Sequence, residues 1–75
     1  MEIHYDVPDP VYVQVADDLD RRIREGEWQP GHRIMSEASM VQEYGIARGT
    51  ARKAVDVLRD RGLVVSISGR GHFVA

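Results

Sequence analysis

The sequence predicts an α+β domain in which three helices precede a C-terminal β-hairpin, and three observations carry that expectation. Apolar residues recur at helical spacing in three successive stretches, the segment after Leu63 changes to β-branched pairs broken by glycine, and the whole chain has only 75 residues, 43% of them hydrophobic. That length holds one small domain and hardly more. Such a chain buries only about 60–65% of the surface it exposes when unfolded, so its single core is expected to leave only a few kcal/mol net.

The first helix opens at Asp9-Pro10, with Asp9 expected as a side-chain cap and Pro10 at the first helical position, where its missing N–H costs nothing. Tyr12, Val15, Ala16, Leu19 and Ile23 then fall on one stripe, and Asp17, Asp18, Asp20, Arg21, Arg22 and Arg24 take the remaining surface. Gly26 is the expected stop. Trp28 reads as a lid on the core beside a Pro30-Gly31 turn, and His32-Arg33-Ile34 as a minor strand or an extended connector. Residues 1–9 form an N-terminal arm and residues 10–75 the domain, with no internal repeat, low-complexity tract or interdomain linker.

Ser36 is placed to cap a second helix whose first turn holds Glu37, favourable beside the positive end of the helix dipole, and whose buried side is Met40, Val41 and Tyr44. Gly45 ends it. A third helix starts near Ala47 or Arg48, with Ala51, Ala54, Val55 and Leu58 facing inward, and closes at Gly62. Val64-Val65-Ser66-Ile67, Ser68-Gly69-Arg70-Gly71 and His72-Phe73-Val74 then make two short strands around a glycine-rich tip.

Composition excludes several function classes. There is no cysteine, hence no disulfide framework and no thiolate-zinc site, which fits a reducing compartment. No apolar run approaches the roughly 18 residues of a membrane span, and the start lacks a signal-peptide pattern, so a soluble, cytoplasmic protein is expected. His4, His32 and His72 are scattered, with no metal-ligand spacing and no glycine-rich phosphate loop, so neither an enzyme nor a metal or cofactor site is expected. The net charge of −2 hides an asymmetry: residues 1–30 hold three Arg against eight acids, whereas residues 31–75 hold six Arg and one Lys against four acids. Clustered cations, not the total, set the field that a polyanion meets, so the second segment can bind nucleic acid.

A short helix, the turn Gly45-Ile46-Ala47 and a longer helix beginning with cations make the outline of a helix-turn-helix. At 100° per residue Arg48, Arg52 and Arg59 lie along one flank of the third helix. If the start of that helix enters a major groove, Arg48 and Arg52 can pair with guanine or phosphate, Thr50 can reach a phosphate or a thymine methyl, and Gly49 lets the backbone come close. The hairpin tip Gly69-Arg70-Gly71 is suited to a minor groove, where negative potential concentrates, and His72 beside it can donate to a phosphate.

Pro10-Val11-Tyr12-Val13-Gln14-Val15-Ala16, Pro30-Gly31, Ser36-Glu37, Gly45-Ile46-Ala47-Arg48-Gly49-Thr50-Ala51-Arg52, Arg61-Gly62-Leu63-Val64 and Gly69-Arg70-Gly71-His72-Phe73-Val74 together resemble the winged-helix domain of the GntR family of bacterial transcription regulators. The resemblance spans about residues 10–75 and implies a winged helix-turn-helix that binds double-stranded DNA, as a homodimer on a pseudo-palindromic operator, in a repressor or activator. The recognition helix would be about residues 48–61 and the wing about 68–72. The candidate DNA-binding residues are Ser36, Arg48, Gly49, Thr50, Arg52, Lys53, Gly69, Arg70, Gly71 and His72. Four positions depart from the family pattern. Met35 and Ala38 replace the usual Pro and Arg around Ser36-Glu37, which removes one expected DNA contact. Ala47 replaces a capping Ser, and Gly49 loosens the same turn. Family members normally carry a further C-terminal domain that binds a small-molecule effector, so effector binding is not expected within these residues. The alternative is a winged-helix module used for protein binding or dimerisation, which the acidic first helix favours.

Overall fold

The computed structural model describes residues 1–75 and contains three helices and one antiparallel hairpin: α1 (Val11–Arg24), α2 (Glu37–Tyr44), α3 (Arg48–Asp60), β1 (Val64–Ile67) and β2 (Gly71–Val74). The predicted architecture is therefore the observed one. α1 and α3 make the largest helix contact, α2 packs on α3, and the hairpin continues from α3. No helix is long and apolar enough to cross a membrane.

The inner faces follow the predicted stripes. Val15, Ala16 and Leu19 of α1, Met40 of α2 and Ala51, Ala54, Val55 and Leu58 of α3 are buried, joined by Ile34, Ile46, Val64 and Val74. Every buried residue is apolar. Small residues at 51 and 54 let α1 and α3 approach closely, and Ile23, Trp28, Val41, Tyr44 and Val57 close the edges. Trp28 is the lid the sequence suggests, with the Arg22 guanidinium 5.0 Å from its ring centroid.

The start of α1 differs from expectation. Pro10 is the flanking residue, with ψ 152°, and no side chain caps the helix. Asp9 therefore lies one residue too far out for its carboxylate to reach the first free N–H groups. Gln14 takes over by another route. Its side-chain amide donates to the carbonyls of His4 (2.6 Å) and Asp9 (2.9 Å), and its oxygen accepts from the His4 N–H (2.9 Å). One carboxamide thereby pins the arm to α1, while Ile3 packs on the edge of the core.

The acidic face of α1 has structural work. Arg61, just past α3, donates to Asp17 (2.8 Å) and Asp20 (2.9 Å). Burial raises the Asp20 carboxyl, but hydrogen bonds from Arg24 and Arg61 outweigh it and hold it below the ordinary carboxylate range. Asp18 is lowered in the same way, its partial burial overcome by hydrogen bonds from Arg21 and Tyr44. Part of the negative charge counted in residues 1–30 is thus neutralised within the fold.

His32-Arg33-Ile34 is an extended connector that touches β2 at a single bridge, Arg33 to Phe73. Gly31 and Ile34 N–H groups donate to the Val74 and His72 carbonyls, and Val74 N–H to the His32 carbonyl, all at 2.9 Å. This line of bonds holds the base of the hairpin against the helices.

Candidate nucleic-acid interface

Ser36 caps α2 as expected, its hydroxyl accepting from the Ser39 N–H at 3.0 Å. Gly45 ends that helix at φ 65°, a left-handed conformation that glycine adopts without the penalty a side chain brings. The chain then turns sharply, Ile46 enters the core, and α3 begins at Arg48. The result is a helix-turn-helix with the first turn of α3 projecting outward.

That first turn has no side-chain cap, because Ala47 occupies the capping position with extended backbone (φ −73°, ψ 156°). Its dihedrals are those in which a serine hydroxyl caps. Ala47→Ser is expected to stabilise the domain by about 1 kcal/mol, read as a higher midpoint in thermal or urea unfolding. A lower midpoint would show that residue 47 is needed small.

A shallow cleft of about 280 Å³ opens between the start of α2, the start of α3 and β2, lined by Arg33, Ser36, Glu37, Ala38, Arg48, Arg52, Gly71 and His72. It gathers three guanidinium groups, one from the connector and two from α3, on one exposed face. Arg48 and Arg52 reach it as the helical flank predicts, with Gly49 exposed and Thr50 half-buried beside them. Gly69 and Arg70 are exposed at the hairpin tip, where the Arg70 N–H donates to the Ile67 carbonyl at 3.0 Å. Gly71 is needed for close approach: its φ is 120°, and an added Cβ would lie 3.0 Å from Arg33 Cδ.

Three cations or donors behave differently from the helical-flank picture. Lys53 is exposed but lies outside the cleft, its ammonium 5.7 Å from the Tyr12 ring centroid on the α1 side. Five residues along a helix from Arg48 rotate the side chain by one full turn plus about 140°, which explains the separation. Arg59, on the predicted flank, is engaged by Asp56 and by Ser66 Oγ at 2.8 Å. The His72 ring is engaged at both nitrogens, Nδ1 with Ser66 Oγ (2.7 Å) and Nε2 with Glu37 Oε2 (2.9 Å). The strand register sets Ser66 opposite His72, so the two side chains share one face of the hairpin.

Two residues of the cleft were not singled out from sequence as part of it. Arg33 sits in a connector whose pairing with β2 depends on tertiary contacts, although a cation next to Pro30-Gly31 in the basic segment was a signal. Glu37 read only as a dipole partner, yet its carboxylate is the one negative group in the cleft, 2.9 Å from His72 and 3.7 Å from Arg52. Ala38 lines the same wall, so the position where the family usually has Arg faces the cleft.

Comparison with known proteins agrees with this geometry. Residues 11–74 match the sequence pattern described as bacterial regulatory proteins, gntR family. The chain is 41% identical over 68 residues to the histidine utilization repressor of Klebsiella aerogenes, covering 91% of this chain and 28% of that protein. It is 37% identical over 75 residues to the HTH-type transcriptional repressor NagR of Bacillus subtilis (strain 168), covering 100% of this chain and 31% of that protein. It therefore spans about three tenths of the length of these relatives. Among solved structures, AraR(DBD) in complex with operator ORX1 superposes with a TM-score of 0.88 at 34% identity, covering 100% of this chain and 96% of that one. YtrA from Sulfolobus acidocaldarius, a GntR-family transcription factor, gives 0.82 at 30% identity, covering 97% and 77%. A match over nearly the whole chain, with a helix-turn-helix and hairpin in the same order, leaves one assignment: this chain belongs to the gntR family of bacterial regulatory proteins.

Proposed function

We propose that the domain is the sequence-specific, double-stranded-DNA-binding unit of a bacterial transcription regulator, working in the cytoplasm and without catalysis. The recognition helix, about residues 48–61, enters a major groove and the wing, about 68–72, meets the adjacent minor groove or backbone. Two copies bind a pseudo-palindromic operator. The observation that carries this reading is the cleft in which Arg33, Arg48 and Arg52 converge on one exposed face. Their guanidinium groups suit it, since each presents a planar fork to phosphate oxygens or guanine. The relatives named repressors and the AraR(DBD)–operator complex support it.

Salt dependence tests the proposal. With about four phosphates neutralised per monomer, log affinity for duplex DNA is expected to fall with log salt at a slope of about −3 to −4 per monomer. Flat fluorescence anisotropy across many duplexes at low salt would remove the DNA reading and leave the protein-binding one.

A further inference from the structure

We propose that Glu37 is a positioning residue, latching the wing to the helix-turn-helix through His72 so that the tip arginine and the α3 cations meet a duplex in one geometry. The proposal rests on the DNA-binding reading above. The contacts form a continuous chain through four elements. Asp56 holds Arg59 on α3, Arg59 donates to Ser66 Oγ on β1 (2.8 Å), Ser66 meets His72 Nδ1 on β2 (2.7 Å), and His72 Nε2 meets Glu37 Oε2 on α2 (2.9 Å). Glu37 Oε1 then lies 3.7 Å from Arg52 Nε, back on α3. Ser66 Oγ accepts from Arg59; in the tautomer with the proton on Nε2, the Ser66 hydroxyl donates to Nδ1 and Glu37 accepts from Nε2.

A hairpin of two four-residue strands has little stability of its own, so its orientation depends on what ties it to the helices. At the base, Val64 and Val74 are buried and the connector supplies backbone bonds as far as the His72 carbonyl. Toward the tip, Val65 and Ile67 are 52% and 45% exposed and lie outside the buried core. The side chains of Ser66 and His72 are therefore the outermost ties between β1, β2 and both helices of the helix-turn-helix. Electrostatics points the same way. A carboxylate among cations weakens attraction for a polyanion, so Glu37 lowers affinity through its charge while raising it through its hydrogen bond.

Two substitutions separate those effects. Both Glu37→Gln and Glu37→Ala delete the charge, but only the amide keeps an acceptor for His72 Nε2. Binding is measured with a fluorescein-labelled duplex selected from a random pool against the unsubstituted chain, and backbone 15N relaxation of residues 68–71 is measured in the free chain. E37Q is expected to bind tighter than the unsubstituted chain. E37A is expected to bind up to about tenfold weaker than E37Q, the loss of one neutral hydrogen bond. The wing of free E37A is expected to be more mobile than that of E37Q. Ser66→Ala breaks the chain in its middle without substituting any residue of α2 or α3, and is expected to loosen residues 68–71 likewise. Equal affinity and equal wing relaxation in E37A and E37Q would overturn the latch. If selection yields no bound duplex, the DNA reading fails, while relaxation in the free variants still decides whether the latch orders the wing.

Discussion

Leu58→Ala is expected to leave a large fraction of the chain unfolded at 25 °C. Leu58 is fully buried on the inner face of α3, among the largest side chains of the core. Truncating a buried leucine costs about 2–5 kcal/mol, from lost transfer energy plus the cavity left behind. A domain of this size holds only a few kcal/mol net, so one such loss is comparable with its whole stability. Far-UV circular dichroism should show reduced helix at 25 °C, with urea shifting the remaining signal at low concentration. Val65→Ala is the control, because Val65 is 52% exposed on the hairpin and surface substitutions stay within about 0.5 kcal/mol. Similar unfolding midpoints for the two variants would mean that the helical core does not carry the fold.

That core could be read from sequence because its signal is periodic. Ala51, Ala54, Val55 and Leu58 lie at helical spacing and all four are buried, as are Val15, Ala16 and Leu19. Helix ends were readable for the same local reason, since Ser36 and Gly45 act through their own backbone neighbours. Pro10 shows where local reading stops. A proline suits either the flanking or the first helical position, and the choice between them decides whether Asp9 can cap; Gln14, four residues on, settles it by bonding the arm.

The interface divides along the same line. Arg48 and Arg52 follow from helical geometry, and Arg70 from the turn, so their exposure was readable. His72 was not, because the partner of its ring depends on strand register and on how the hairpin leans toward α2. A register that sets Ser66 opposite His72 gives the ring partners within the fold at both nitrogens. Charge counting misled in a similar way. The acids of α1 weigh against DNA in the total, yet Asp17 and Asp20 are engaged by Arg61 on the α1–α3 side of the fold.

Arg52→Ala is expected to weaken binding to a selected duplex by about 1–3 kcal/mol and to relax preference at one base position, the signature of a paired contact to guanine. Arg70→Ala, in contrast, is expected to weaken all duplexes by similar factors and to reduce the salt slope by about one, as for a contact that reads shape and phosphate. The free structure decides whether Arg52 is available for such a contact. Its side chain is 68% exposed, and its one ion pair, with Glu37, is 3.7 Å long. With the arginine exposed and the separation that long, the pair contributes about 1 kcal/mol or less, so leaving Glu37 for a base costs little beside the gain from two hydrogen bonds. Arg59, held by both Asp56 and Ser66, has no such freedom, and Arg59→Ala should act through the wing instead of through base preference. Competition with randomised duplexes, repeated at several salt concentrations, separates these outcomes. Uniform loss for Arg52→Ala with altered base preference for Arg70→Ala would exchange the two roles and assign sequence reading to the wing.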